Sequence, residues 1–249
     1  MQKLITKAAS TPKGIRFYSQ KDSKMISFST PVDGKVTAKW ISSKSEEYIT
    51  QTYNEYPKYT TLTITLLYIC MIISFLDFVN YLVFKHNITG IRISVSALLF
   101  FSLFKFFFLN LFLGKKTDGL KFHSAEHMAI NAVNTLGRIP TMEELKTFSR
   151  YSNYCSVNSD TSTIVRYTII LVCSFVPFIP INWIFYLIVM ILCSSIESTG
   201  IFNFMQYFAT ENPEDIHLQT ALEGIRVWAE HELTESNETL SKQETAYND

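Results

Sequence analysis

Residues 61–84 read TLTITLLYICMIISFLDFVNYLVF, an apolar run broken by one charge, Asp77. A run of that length and polarity is what a helix needs to cross about 30 Å of hydrocarbon. From Ile91 to Leu113 the pattern repeats, with Lys105 as the interruption. The link Lys85–Gly90 is short, so residues 59–113 are predicted to form an antiparallel transmembrane hairpin.

Outward from this hairpin the chain alternates in character. Residues 1–58 mix Ser, Thr, Lys and Tyr; short alternating runs such as Ile15–Tyr18 and Lys24–Phe28, with Pro31 and the turn signal Asp33-Gly34, predict a small β-rich region. Residues 114–162 are polar. Within them Phe122, Ala125, Ala129, Ala132, Val133 and Leu136 recur at helical spacing, and Gly137 and Pro140 end the helix. Thr141 and Glu144 form a Thr-x-x-Glu capping box that starts a second helix, Met142 to about Arg150. Residues 163–200 are apolar again, but Pro177, Pro180 and Asn182 near the middle favour two short helices with a tight turn, either a second crossing pair or a re-entrant hairpin. Asn212-Pro213-Glu214-Asp215 then starts an amphipathic helix carrying Ile216, Leu222, Ile225 and Trp228 to roughly Leu233, within a segment 201–235. Residues 236–249 read as a disordered acidic tail. The fold class expected is an α-helical integral membrane protein: about four membrane helices in two hairpins, a two-helix polar insert, an N-terminal β-rich region and a C-terminal amphipathic helix.

Composition agrees. Hydrophobic residues make up 47% and charged residues 18%, which argues against an ordinary soluble globule. The zero net charge hides a basic front, ten Lys/Arg against five acids in residues 1–58, and an acidic end, two against ten in residues 201–249. The front's cations are spread thinly, with no compact patch for nucleic acid, so none is expected as a partner. Cys70, Cys173 and Cys193 lie in apolar segments and only Cys155 in a polar loop, which offers no disulfide framework and fits a reducing compartment. No apolar signal core precedes the first apolar run, so that run itself is expected to direct insertion. Lys58, Lys115, Lys116, Lys121 and Arg166 on one side, against Lys85 and Arg92 on the other, predict a cytoplasmic N-terminus, insert and C-terminus.

The chemistry concentrates in His123-Ser124-Ala125-Glu126-His127. Two imidazoles at i and i+4 share one helix face and can grip a single Zn²⁺, while the neighbouring carboxylate of Glu126 can take the proton that a hydrolytic attack releases. The same residues on a solvated helix would be an ordinary polar face. Scarcity adds weight, because two of only five histidines fall in this motif. A catalytic centre needs a third ligand, and Glu197, an ionisable group in an apolar run, and Cys155 are the candidates. Asp77 and Lys105 are expected to pair or snorkel within the first hairpin.

Three blocks resemble the YqhQ-like bacterial membrane proteins (domain of unknown function 1385), a family described as predicted metal-dependent enzymes. Phe122-His123-Ser124-Ala125-Glu126-His127-Met128-Ala129-Ile130-Asn131-Ala132 is similar to the family's His-Gly-Ala-Glu-His-Lys-x-Ile-x-Ala. Ser149-Arg150 followed by Cys155 looks like its Ser-Arg-x-His-Pro-x-Cys-Gly-Thr, although Ser152 stands where the family has His. Ile196-Glu197 with Gln206, Thr210, Pro213 and Asp215 looks like its Tyr-Glu and Leu-Gln-x-x-Thr-Thr-x-Glu-Pro-x-Asp, with Asn212 in place of the Glu before Pro. The family's Gly-rich N-terminal block is missing. The resemblance implies a divergent member with a metal site at His123 and His127 in a membrane layout.

The leading expectation is therefore a membrane-embedded zinc-dependent hydrolase, a peptidase being one form. His123 and His127 are its ligands, Glu126 its general base, and Glu197 or Cys155 completes the shell. Its partners would be the lipid bilayer and a membrane protein or peptide substrate, with oligomerisation left open, in a bacterial-type inner membrane. The alternative is a non-catalytic membrane scaffold or assembly factor that docks a partner through the polar insert and the C-terminal helix.

Overall fold

A computed structural model describes residues 5, 7–22, 24–45, 58–110, 117–153, 155–177, 179–197 and 199–247, with backbone only at 58–61 and 233–247. The chain divides into two compact units. One comprises Met1–Tyr56, Gly114–Tyr151 and Thr210–Asp249, and the other Pro57–Leu113 and Ser152–Ala209.

The first unit opens with a four-stranded antiparallel meander, β1 (Ala8–Thr11), β2 (Gly14–Tyr18), β3 (Met25–Val32) and β4 (Lys35–Ser42), in sequential order. Its β3–β4 link is the two-residue turn Asp33-Gly34. Both residues have positive φ, 50° and 74°, the backbone whose twist matches a hairpin and which Asp-Gly adopts readily. β3 continues through Pro31, which pairs with Val36, so the proline does not separate strands as its position in the sequence suggests. Three helices complete the unit: α3 (Gly119–Leu136), α4 (Met142–Lys146) and α7 (Asp215–Tyr247), numbered in chain order with the other unit's helices below. Ile15 and Phe17 of β2 meet Phe122, Ala125, Ala129 and Val133 of α3 and Leu218, Leu222, Ile225 and Trp228 of α7 in one dry core. Gly224 lets α7 lie close to the sheet: a Cβ there would sit 2.6 Å from Ser29 Oγ and 2.9 Å from the Phe17 ring, and Ser27 Oγ donates to its carbonyl at 2.7 Å.

Two caps fall where the sequence places them, whereas α7 starts at Asp215 rather than at Asn212-Pro213, Asn212 Oδ1 being taken by Arg150. Gly137 closes α3 with φ 69°, and Thr141 and Glu144 form the full capping box of α4. α4 stops at Lys146, short of the expected Arg150, because 149–151 are drawn off into main-chain bonds with α3 described below. α7 runs on to Tyr247 through the segment read as a disordered tail, where Glu238, Leu240, Lys242, Gln243, Glu244 and Ala246 are good helix formers.

The second unit begins with α1 (Lys58–Asn80), which passes through a π turn, Tyr81–Lys85, to His86 at φ 45°. Asn87 Oδ1 then accepts from the amides of Thr89 and Gly90 and starts α2 (Ile88–Phe107). α5 (Ser156–Cys173), α6 (Trp183–Glu197) and a 3₁₀ helix (Ile201–Phe208) follow. Phe78, Leu82, Val95, Leu98, Tyr167 and Ile170 make its interior, while Leu62, Ile72, Leu76, Phe84, Phe100, Phe175, Ile191 and Leu192 lie exposed. An apolar exterior around an apolar core is what lipid solvates. Leu62–Lys85 and Ile88–Asn110 are long and apolar enough to cross a membrane. α5 and α6 do not reach that standard: α5 spends its first two turns on polar residues, and the fifteen residues of α6 cover only about 22 Å.

The boundaries also move. The segment 114–162 is not one insert, because the units part between Tyr151 and Ser152, and 201–209 belongs with the apolar helices. Lys105 Nζ meets Asp160 Oδ1 of α5 at 2.7 Å rather than Asp77, a pairing across 55 residues that span-by-span reading does not find.

Candidate metal centre

α3 carries His123, Glu126 and His127. Its apolar stripe faces the sheet and α7, and this packing turns the motif's own positions partly inward: Glu126 is 6% and His127 2% exposed, with His123 half-buried. The two imidazoles sit one helical turn apart, their ring centroids 4.4 Å from each other. His127 Nδ1 lies 2.7 Å from the carbonyl oxygen of Arg150. A carbonyl can only accept, so Nδ1 carries the proton and Nε2 keeps its lone pair, the state in which imidazole binds a metal.

The residue that aims this carbonyl escaped the sequence reading. Asn131, one turn beyond His127 on the same helix, donates from Nδ2 to the carbonyls of Ser149 (2.9 Å) and Tyr151 (3.0 Å), clamping the loop that contains Arg150. Its place at i+4 from His127 is the signal by which it could be found. Arg150 in turn donates to Asn212 Oδ1 at 2.6 Å and to the Tyr151 hydroxyl at 3.1 Å.

Burial sets the charge states. Desolvation holds His127 neutral, its pKa lowered to about 3, with the neighbouring His123 adding to the shift and the Arg150 carbonyl opposing it. Desolvation also pushes Glu126 up to about 7, against hydrogen bonds from the side chain and backbone of Ser10. The Glu126 carboxyl is thus held by β1, whereas sequence alone pictures it only as a neighbour of the two imidazoles.

The other two expected ligands belong to the apolar unit. Cys155 is the N-cap of α5, buried with Phe106, Val157 and Ala209, and its Sγ accepts from the Val157 amide at 3.4 Å. A buried amide network fixes the loop before it. Gln206 Oε1 accepts from the Ser152 amide (3.0 Å), and Gln206 Nε2 donates to Ser152 O (2.7 Å) and Asn158 Oδ1 (2.9 Å). Asn158 Nδ2 reaches Asn203 Oδ1 at 2.9 Å. Glu197 is the last residue of α6, half-buried, and joins no cluster of metal-ligating side chains among the described residues.

The remaining histidines are structural. His217 packs its ring on Phe122 at 4.7 Å and accepts from the Glu214 amide, His231 stacks on Trp40 at 4.8 Å, and His86 occupies the positive-φ turn between α1 and α2. Of Ile216, Leu222, Ile225 and Trp228, the stripe through which the C-terminal helix would dock a partner, the last three are 5%, 0% and 6% exposed and lie in the core, while Ile216 is half-buried. No protein family, curated protein or solved structure matches the chain.

Proposed function

We propose that the chain is a membrane-resident, zinc-dependent hydrolase, a divergent relative of the YqhQ-like proteins, with His123 and His127 as metal ligands. The observation that carries this reading is the bond from His127 Nδ1 to the Arg150 carbonyl beside a second imidazole one turn away. A solvated polar helix face has no use for a buried imidazole whose tautomer the main chain imposes. Metal ligands are held in this way, the outer bond fixing ring and tautomer while the inner nitrogen stays basic. Zinc, when bound, supplies Lewis acidity to the scissile carbonyl. Glu126 accepts and returns the proton; a carboxyl titrating near neutrality suits both directions of transfer, and Ser10 fixes its orientation. A peptide bond in a membrane protein or peptide is the substrate this chemistry fits, and Cys155 and Glu197 are the alternatives for the third ligand.

Zinc content of the purified full chain, measured by mass spectrometry, tests the reading. The wild type is expected to retain zinc and His123→Ala/His127→Ala to lose it, while Cys155→Ser and Glu197→Gln identify the third donor by which of them also loses it. Equal, negligible zinc in the wild type and the double variant would sink the proposal.

For the membrane layout we propose four helices in two hairpins, α5 and α6 forming the second, with the N-terminus, residues 114–151 and the C-terminus cytoplasmic. Exposed Val172, Leu187, Ile188 and Ile191 support lipid contact along both helices. Single cysteines introduced at Asp118 and His86, labelled from either side of the membrane, should report opposite faces. Labelling from the same side refutes the arrangement.

A further inference from the structure

Asp77 is an acid in the wrong solvent. The span Leu62–Lys85 has its midpoint between residues 73 and 74, so Asp77 lies about 5 Å past the centre at 1.5 Å per residue. Its side chain is exposed, and among the described residues it has no hydrogen-bond or ion-pair partner. A charge at such depth costs about 2.5–3.5 kcal/mol on insertion scales, and acids placed there face a partner or a wet cavity rather than lipid.

The surroundings of Asp77 describe what would cover it. Leu62, Leu66, Ile69, Ile73 and Leu76 recur at alternating steps of four and three residues on an exposed apolar face that Tyr68, Ile72 and Phe75 widen, and such a row is a seam along which a second helix can pack. Asp77 borders that seam. A helix laid along it buries the apolar row and brings its own side chains to the carboxylate.

Charge complementarity selects the occupant. The unit's four cations with described side chains are all engaged. Lys105 pairs with Asp160, Arg92 donates to the Ser174 carbonyl at 2.5 Å, Arg166 bonds Tyr186 and Cys193, and Lys85 lies over the Tyr81 ring at 5.2 Å. Among the described side chains of this unit a second copy therefore brings no unengaged cation to Asp77, and a two-fold contact at the seam would bring carboxylate toward carboxylate. We infer that the exposed seam of α1 docks a transmembrane helix of a different membrane protein, one that carries a Lys or Arg near the bilayer midplane to pair with Asp77. The inference rests on α1 crossing a bilayer and is independent of the metal centre.

The test uses the full chain, fluorescently labelled and reconstituted in phosphatidylcholine vesicles, with acceptor-labelled polyleucine helices of about 20 residues. These helices carry Lys or Leu at the centre. Energy transfer is expected to favour the Lys helix, and Asp77→Asn to weaken its association by about three- to twentyfold, the range of polar contacts between membrane helices, while Asp77→Glu retains it. Equal transfer to the Lys and Leu helices, or an unchanged Asp77→Asn, overturns the docking. Transfer between two labelled copies that depends on Asp77 and resists the Lys helix assigns the seam to a homodimer and equally overturns it. A chain that alkaline carbonate strips from the vesicles refutes the membrane reading instead.

Discussion

The sheet-bearing unit and the apolar helical unit handle the same kinds of residue in opposite ways. In the first, Phe17, Phe122 and Ile225 are inside, and charged pairs such as Lys146–Asp215 and Lys121–Glu214 lie on the water-facing surface. In the second, Phe84, Phe100 and Phe175 are outside, while Gln206, Asn158 and Thr161 are within. Hydrophobicity therefore identifies the interior only where water is the solvent. Polar groups buried inside the second unit must still find each other, and the Gln206 network does so.

Core truncation should separate the units most sharply. Phe17→Ala is expected to cost about 3–5 kcal/mol, seen as a lower unfolding midpoint of the detergent-solubilised chain, whereas Phe100→Ala, on an exposed surface, should change the midpoint little. Equal effects would erase the distinction.

Titration probes the buried polar groups of the first unit. Glu126 holds its proton more tightly folded, near 7, than at its ordinary 4.5. The stability it confers is thus full below about pH 4.5 and lost as pH rises through about 7, a loss on the order of 3 kcal/mol. His127 runs the other way. With its pKa lowered from 6.5 to about 3, the unfolded chain binds the proton first, and stability falls as pH drops below about 6.5. The two slopes oppose each other between about 4.5 and 6.5, so thermal unfolding should show its maximum there. Glu126→Gln should abolish the decline between about 6.5 and 7; a decline that persists in that variant assigns it to another group.

In the second unit, Gln206→Leu leaves the Ser152 amide without its acceptor, for about 1–3 kcal/mol, and should speed maleimide labelling of Cys155 by loosening the loop. Unchanged labelling would show that helix packing alone holds that cysteine. The smallest effect is local: Thr141→Ala removes one arm of the capping box and should cost about 1 kcal/mol in the same thermal measurement.

Much of the fold could be read in advance because its signals are local. Asp33-Gly34, Gly137 and the Thr141–Glu144 box act within a few residues of themselves, and the apolar runs are equally local. The candidate site was legible in part: His123 and His127 declare their shared face by spacing alone. Asn131 was hidden only by its ordinary appearance. Ser10, which binds Glu126, was out of reach, since nothing in residues 8–11 points to a helix more than a hundred positions later.

Helix periodicity, caps and hydropathy are properties of neighbouring residues, so the chain itself determined its helices, its hairpin turn and the pairing of two imidazoles on one face. Tertiary structure alone decided that Arg150 offers its carbonyl to His127, that Lys105 chooses Asp160 over Asp77, and that Leu222, Ile225 and Trp228 enter a core instead of greeting a partner. Each of these depends on bringing distant segments to within a few ångströms. Their free energy comes from burial and directional bonds between elements, and no local pattern encodes it.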